Sequence, residues 1–392
     1  MSFNVLDYLG GVAYYIPFLL RFIFVLTIVV FFHELGHFLV ARWCGVKVLV
    51  FSIGFGPELF GFNDRRNTRW KFAAIPLGGY VKFLGDENAA SVPDRGQTAS
   101  MSAAERMQAF AHQPVGNRAA VVAAGPVANF ILAIIIFALI YSLYGKQSAL
   151  PRVDAVQPNS AAEAAGFQPG DLVLSIDGRT ISTFADMQRQ VSISAGQELV
   201  VVVERNGEQK TLKATPTLRE SKDKFGNIHR VGILGITRSM AAGEFNFHRV
   251  DPLTALRLSV EETWSIIDLS VSYIGRVIVG REYADQIGGP IRIAQVAGQV
   301  WEGGLENGGV LQAVVGLFNL AAILSVSIGF LNLFPIPLLD GGHLLFYGIE
   351  AIRGRPLSDR AQEVGFRIGL AIVMMLMIFA VFNDVKPWFS SS

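Results

Sequence analysis

Residues 33–37 read His-Glu-Leu-Gly-His. On a helix this spacing puts His33 and His37 on one face, at i and i+4, where they can share a zinc ion, with Glu34 beside them to activate water. The motif directly follows the apolar run Phe22–Phe32, so its helix is expected to lie in a membrane. A glutamate and two histidines in lipid are costly unless they do chemistry or are buried in protein, which makes such a cluster a functional site. Buried structural histidines are the plainer alternative.

Two histidines leave zinc short of protein ligands, because catalytic zinc sites usually take three plus a water. A second motif spans Asn332 to His343 and reads Asn-Leu-Phe-Pro-Ile-Pro-Leu-Leu-Asp-Gly-Gly-His. Asp340 is the candidate third ligand. Pro335 and Pro337 should break the apolar helix before it, and a broken helix at membrane depth is tolerated where it is buried in protein or lines a watery cavity. His343 competes with Asp340 and is read as a supporting or loop residue. Solvated polar roles suffice for His112, His229 and His248, and the lone Cys44 reads as a small hydrophobe rather than a ligand.

The elements that must position these residues are largely apolar. Hydrophobic residues make up 51% of the 392 and charged residues 17%, with positive mean hydropathy, which is too apolar for an ordinary soluble chain. The net charge of +1 comes with no basic domain, so nucleic acid is excluded as a partner. One cysteine precludes an intramolecular disulfide. Four long apolar segments run over about 12–40, 119–144, 310–333 and 368–382. No small-residue cleavage pattern follows the first, which is read as a retained span rather than a signal peptide. Basic residues from Arg42 through Arg95 to Arg118, and Arg353, Arg355 and Arg360, lie in the two short loops, whereas none precedes Arg21 and the C-terminal tail has only Lys386. The positive-inside rule places both short loops in the cytoplasm and both termini outside, Ser391 included.

Residues 147–240 then lie outside and read as a small soluble domain. Turn signals at Gln168–Asp171, Asp177-Gly178 and Asn206-Gly207 separate candidate strands at 172–176, 199–203, 211–214 and 231–236, with short helices expected at 160–165 and 184–191. The run Ser160–Gly178 resembles the PDZ domain of bacterial proteases. Gly232–Ile236 resembles its carboxylate loop and edge strand, displaced to the end by circular permutation. Such domains add an extended peptide to a sheet edge and hold its terminal carboxylate with backbone donors. A PDZ fold kept as a spacer or gate is an equal alternative.

His33–His37, the Pro-x-Pro-x-Leu-Asp-Gly core ending at Gly341, Gly125-Pro-Val-Ala-Asn129 and the PDZ-like insert together resemble the site-2 protease family of intramembrane zinc metalloproteases, of the bacterial regulator-of-sigma-E protease type. The resemblance implies a polytopic α-helical membrane protein of about four spans, with one inserted periplasmic PDZ (α+β) domain and a membrane-associated β-hairpin region on the cytoplasmic side. Its expected parts are an N-terminal membrane core, 1–146; the PDZ domain, 147–240; a membrane-surface segment, 241–309, whose residues 252–280 suit an amphipathic helix; and a C-terminal membrane core, 310–392.

The implied activity is zinc-dependent cleavage of single-span membrane proteins, such as anti-sigma factors or signal-peptide remnants, in the bacterial inner membrane. The implied partners are those substrates, membrane lipid and an upstream site-1 protease. Zinc would be held by His33, His37 and Asp340, with Glu34 as the base. Segments 46–57 and 70–83 alternate like strands and suit hairpins; in relatives a strand of this kind pairs with unwound substrate. Gly79, Tyr80 and Val81 are therefore candidate substrate-binding residues, with Asn332 bonding the freed substrate backbone and Gly235 in the PDZ loop. Well-known members carry two tandem PDZ domains, and this chain has room for one. The competing class is a membrane-embedded zinc-binding scaffold or transporter without proteolysis. A soluble zincin is disfavoured, because no further ligand follows soon after His37 in a polar helix.

Overall fold

The computed structural model describes residues 5–85, 101–147, 150–181, 183–222, 228–237, 247–248, 250–279 and 288–390. Arg95, Ser391, residue 280 and the end of the 147–240 segment lie outside them. The helices are α1 (Val5–Trp43), α2 (Ala103–Gln108), α3 (Val115–Tyr144), α4 (Ala161–Ala164), α5 (Phe184–Ser192), α6 (Pro252–Ile278), α7 (Pro290–Asn332), α8 (Asp340–Arg353) and α9 (Asp359–Ser390). The chain divides into two compact units. One comprises Met1–Leu139, Leu253–Ile274 and Ile287–Asn383; the other comprises Ile140–Pro252, Gly275–Gln286 and Asp384–Ser392.

Among the described residues, four helices are long and apolar enough to cross a membrane, over Ile16–Trp43, Val115–Tyr144, Pro290–Asn332 and Arg360–Pro387. The third is not one rod. Gly309 sits at φ 74° inside it, and a Cβ added to Gly304 would strike the backbone of Ala313, while one on Gly316 would lie 2.7 Å from Val300 Cγ1. In a continuous helix residues 300 and 316 would be about 24 Å apart. The chain therefore reverses at Gly309, and 290–308 folds back along 310–332. The second limb is the one that begins where the apolar pattern of the sequence begins. Both limbs pack on α1: Gly298 lies against Phe18, and Phe318 meets Phe24 edge-on at 6.0 Å.

Between α1 and α3 lie strands β1 (Val48–Asn63) and β2 (Arg69–Phe83). The two expected strand segments pair with each other, and each strand bends and contributes two stretches to one sheet. Residues 48–53 run opposite to 79–83 and alongside 69–72, and 58–63 run opposite to 69–73. The resulting order is 58–63, 69–73, 48–53, 79–83, which makes 79–83 an edge. Phe51 anchors the sheet. It is fully buried, stacks on Trp70 at 4.2 Å and meets Phe38 and Phe31 edge-on. Truncating such a buried aromatic costs about 3–5 kcal/mol.

The second unit has its own core of Val153, Phe167, Val173, Ile176, Met187, Leu199, Val201 and Val203 among others. Its main sheet has the order 179–180, 172–176, 199–205, 208–214. Alternation sets the faces: Leu199, Val201 and Val203 are buried while Val200 is exposed. The expected helices form at α4 and α5, and α5 is closed by a capping box between Thr183 and Asp186. The strand expected over 231–236 is divided. Residues 228–233 pair with 217–222, and 236–237 pair with 155–156, because Gly235 turns the chain at φ 83°. Asp171 is fully buried and receives Arg205 Nε at 2.7 Å and Nη2 at 2.8 Å. Burial pushes the Asp171 carboxyl up, but Arg205 and the Gln168 N–H outweigh it and hold the group below the usual carboxylate range.

Candidate metal centre

α1 and the start of α8 bring three ligand atoms to one point. His33 Nε2 lies 3.2 Å from His37 Nε2 and 3.2 Å from Asp340 Oδ2, and His37 Nε2 lies 3.6 Å from the same oxygen. Tetrahedral zinc with bonds of about 2.0–2.2 Å sets its ligand atoms about 3.3–3.6 Å apart, so this triangle is one face of such a site. Among the described residues, His33, His37 and Asp340 are the group of three that could hold a metal ion. Asp340 Oδ2 is also buried without a hydrogen-bond partner, as an acceptor meant for a cation would be.

α3 supplies the other side of the centre. Val121, Gly125 and Asn129 fall at i, i+4 and i+8, on one face of this helix. The Val121 carbonyl accepts from His37 Nδ1–H at 2.8 Å, which leaves the Nε2 lone pair free for a metal. Gly125 lets α3 approach: a Cβ there would run into His37 Nε2 and sit 2.8 Å from His33 Cε1. The Asn129 amide lies 3.3 Å from His33 Nδ1. Sequence reasoning quoted Gly125 and Asn129 only as parts of a resemblance and missed Val121. The available signal was their common helical face in an otherwise apolar segment.

The third ligand comes on a loop. α7 stops at Asn332 and α8 begins at Asp340, with Pro335 and Pro337 between them as expected. Leu338 is held at φ 115°, a strained conformation for a non-glycine residue. α9 braces this loop: Gly369 lies against the Pro337 carbonyl.

A cavity of about 210 Å³ opens at the three ligands and is lined by Glu34, Gly79, Tyr80, Val81, Asn332, Leu338 and His343 as well. The predicted residues of the membrane core thus converge. The Val81 N–H faces the Glu34 carboxylate, and Asn332 Nδ2 lies 3.4 Å from His33 Nε2. His343 stands outside the ligand triangle, with its ring against Phe366 and Tyr347. Burial holds its pKa below the ordinary histidine value. Gly235 belongs to the other unit, where a groove of about 450 Å³ runs between α5 and residues 231–236.

Apolar helices thus gather two histidines, an aspartate and a glutamate in one cavity, the residue set of a metallopeptidase centre. Residues 21–376 match Peptidase family M50, and the chain belongs to that family. A protein of Agrobacterium fabrum is 50% identical over 374 residues, covering 95% of this chain and 96% of its own length. One of Rhizobium meliloti is 49% identical over 378 residues, covering 96% and 98%. The names of both present them as candidate zinc metalloproteases. Metalloprotease MmpA of Caulobacter vibrioides is 44% identical over 385 residues, covering 94% and 96%.

Proposed function

We propose that this protein is a zinc-dependent intramembrane endopeptidase that cuts single-span membrane proteins, such as anti-sigma factors or signal-peptide remnants. The observation that carries the reading is the single cavity in which Glu34, the ligand triangle and the edge strand 79–83 meet. His33, His37 and Asp340 would hold the metal. Zinc bound there supplies Lewis-acid polarisation of the scissile carbonyl and makes water a nucleophile at neutral pH. Glu34 takes the proton of the attacking water and returns it to the leaving amine as the C–N bond breaks.

A helical substrate hides its peptide groups in its own hydrogen bonds, so it must be stretched before the carbonyl is accessible. The edge 79–83 offers the exposed backbone a partner. Residues of a strand alternate in direction, so Gly79 shares the outward side with Val81, whose N–H points at Glu34. Asn332, at the cavity wall, supplies a side-chain donor to the freed substrate backbone. The domain between α3 and α6 is read as a PDZ module on the periplasmic side of the inner membrane, as the charge rule requires, with its groove beside α5 taking an extended peptide. Its bulk and groove would favour substrates already trimmed by a site-1 protease.

The test is Glu34→Gln, compared with the native protein on a single-span substrate in membranes. Zinc content should be unchanged and cleavage should fall 10²-fold or more, to about background. A zinc-binding scaffold or transporter would keep its function in that variant, and cleavage at the native rate would end the protease reading.

A further inference from the structure

Asn129 has no role in the chemistry described so far, yet it is fully buried and faces a ligand. Its amide is the group that meets His33 Nδ1, at 3.3 Å. Its placement is enforced from the backbone side, where Ser325 Oγ donates to the Asn129 carbonyl at 2.8 Å and α7 passes close, with a Cβ on Gly329 only 3.1 Å from Asn129 Cβ. The nitrogen and oxygen of a carboxamide occupy nearly the same volume, so hydrogen-bond chemistry decides which one faces the ring.

That chemistry is set by the ligand triangle. His33 presents Nε2 to His37 and Asp340, so ligation uses Nε2, and the ring proton must sit on Nδ1. A group facing Nδ1 must then accept. Placed with its nitrogen toward the ring, Asn129 leaves Oδ1 buried without a partner; a half-turn of the amide brings Oδ1 to the Nδ1–H. The same helix already does this for the other ligand, with the Val121 carbonyl accepting from His37 Nδ1–H two turns earlier.

We infer that Asn129 is a positioning residue for the metal: its side-chain oxygen accepts from His33 Nδ1–H and fixes the tautomer and ring angle with which Nε2 binds zinc. α3 thereby carries both outer acceptors of the centre, a backbone carbonyl for His37 and a side-chain carbonyl for His33. The inference rests on the zinc reading above. Removing an outer hydrogen-bond partner of this kind lowers metal affinity by about 10–100-fold.

The experiment is a competition titration of zinc between a chelator and the purified protein, for native, His33→Ala, Asn129→Leu and Asn129→Asp forms, with thermal unfolding of each metal-stripped form as the folding control. Asn129→Leu should weaken zinc binding by about 10–100-fold while unfolding near the native temperature. Asn129→Asp keeps an acceptor and loses the donors, so it should hold zinc at least as tightly as the native protein. A donor role predicts that Asp fails as badly as Leu, and that result overturns the proposal. Native-like affinity in Asn129→Leu overturns it as well. If His33→Ala binds zinc like the native protein, the metal site itself is misassigned, an outcome separate from the other two. Should Asn129→Leu unfold, the comparison of Asn129→Asp with the native protein decides alone: weakened binding in a folded Asp form refutes the acceptor role.

Discussion

Residues 33, 37 and 340 form a site only as a set, and Asp340 differs from its neighbour His343 in what it faces. Asp340 Oδ2 meets both imidazole nitrogens and has no other partner. His343 instead spends its ring on Phe366 and Tyr347. Asp340→Asn should therefore release zinc during purification, because a neutral amide oxygen is a far poorer ligand than a carboxylate, whereas His343→Ala should retain close to one zinc per chain. Metal analysis of the two purified variants checks this. The reverse order would exchange the two assignments.

At the scale of elements, the bent sheet and the PDZ-like strands each make a claim that can be tested. Val81→Pro removes the backbone donor that points at Glu34 from the sheet edge. Cleavage should fall at least 10-fold with zinc retained, and Val81→Ala, which keeps the donor and loses only packing, should fall less; equal losses would mean that the Val81 N–H has no part in the reaction. The Asp171–Arg205 pair predicts a pH dependence. Because the folded state holds the Asp171 carboxyl below its unfolded value of about 3.9, the unfolded chain binds the proton more readily. The pair's stabilisation is present in full above about pH 4 to 5 and is lost as the pH falls through the depressed folded value. Amide protection factors at Val201 and Val203, taken relative to the intrinsic exchange rate at each pH, should fall on acidification more in the native protein than in Asp171→Asn. Parallel profiles for the two would remove Asp171 as the cause.

For the whole molecule the question is what the PDZ-like domain contributes. Residues 146–147 pair with 247–248, so the two ends of the insert lie side by side and a short flexible linker can replace 152–238. The shortened protein should keep zinc and should also cut full-length substrates that the native protein spares, if the domain restrains access by size. Cleavage of intact and pre-trimmed forms of one substrate distinguishes the cases, and a folded, zinc-loaded deletion that cuts neither would make the domain a delivery device. Gly235 is the wrong place to probe peptide binding. Its positive φ and its contact with Ser160 mean that a side chain there deforms the loop itself. Gln188, which lines the groove from α5, is a better position for a bulky substitution.

The sequence by itself determined the chemistry and the lengths. His33, Glu34 and His37 share a face because helical spacing is local, the apolar runs announce their own helices, and two prolines so close together, at 335 and 337, interrupt a helix locally. Strands 172–176 and 199–205 and the helix from Phe184 were legible for the same reason. What depended on distant parts of the chain was decided only by tertiary structure. Val121 and Asn129 reach the ligands across 84 and 96 residues, and nothing near either residue in sequence says that an imidazole will be its neighbour. The reversal at Gly309 and the order of the sheet stretches are likewise long-range. A glycine permits a turn without requiring one, and an alternating run has no label for the strand beside it. Periodicity fixes which face of an element is apolar, but the partner of that face is chosen by packing, and in this protein packing brings the third ligand and both outer acceptors to the motif.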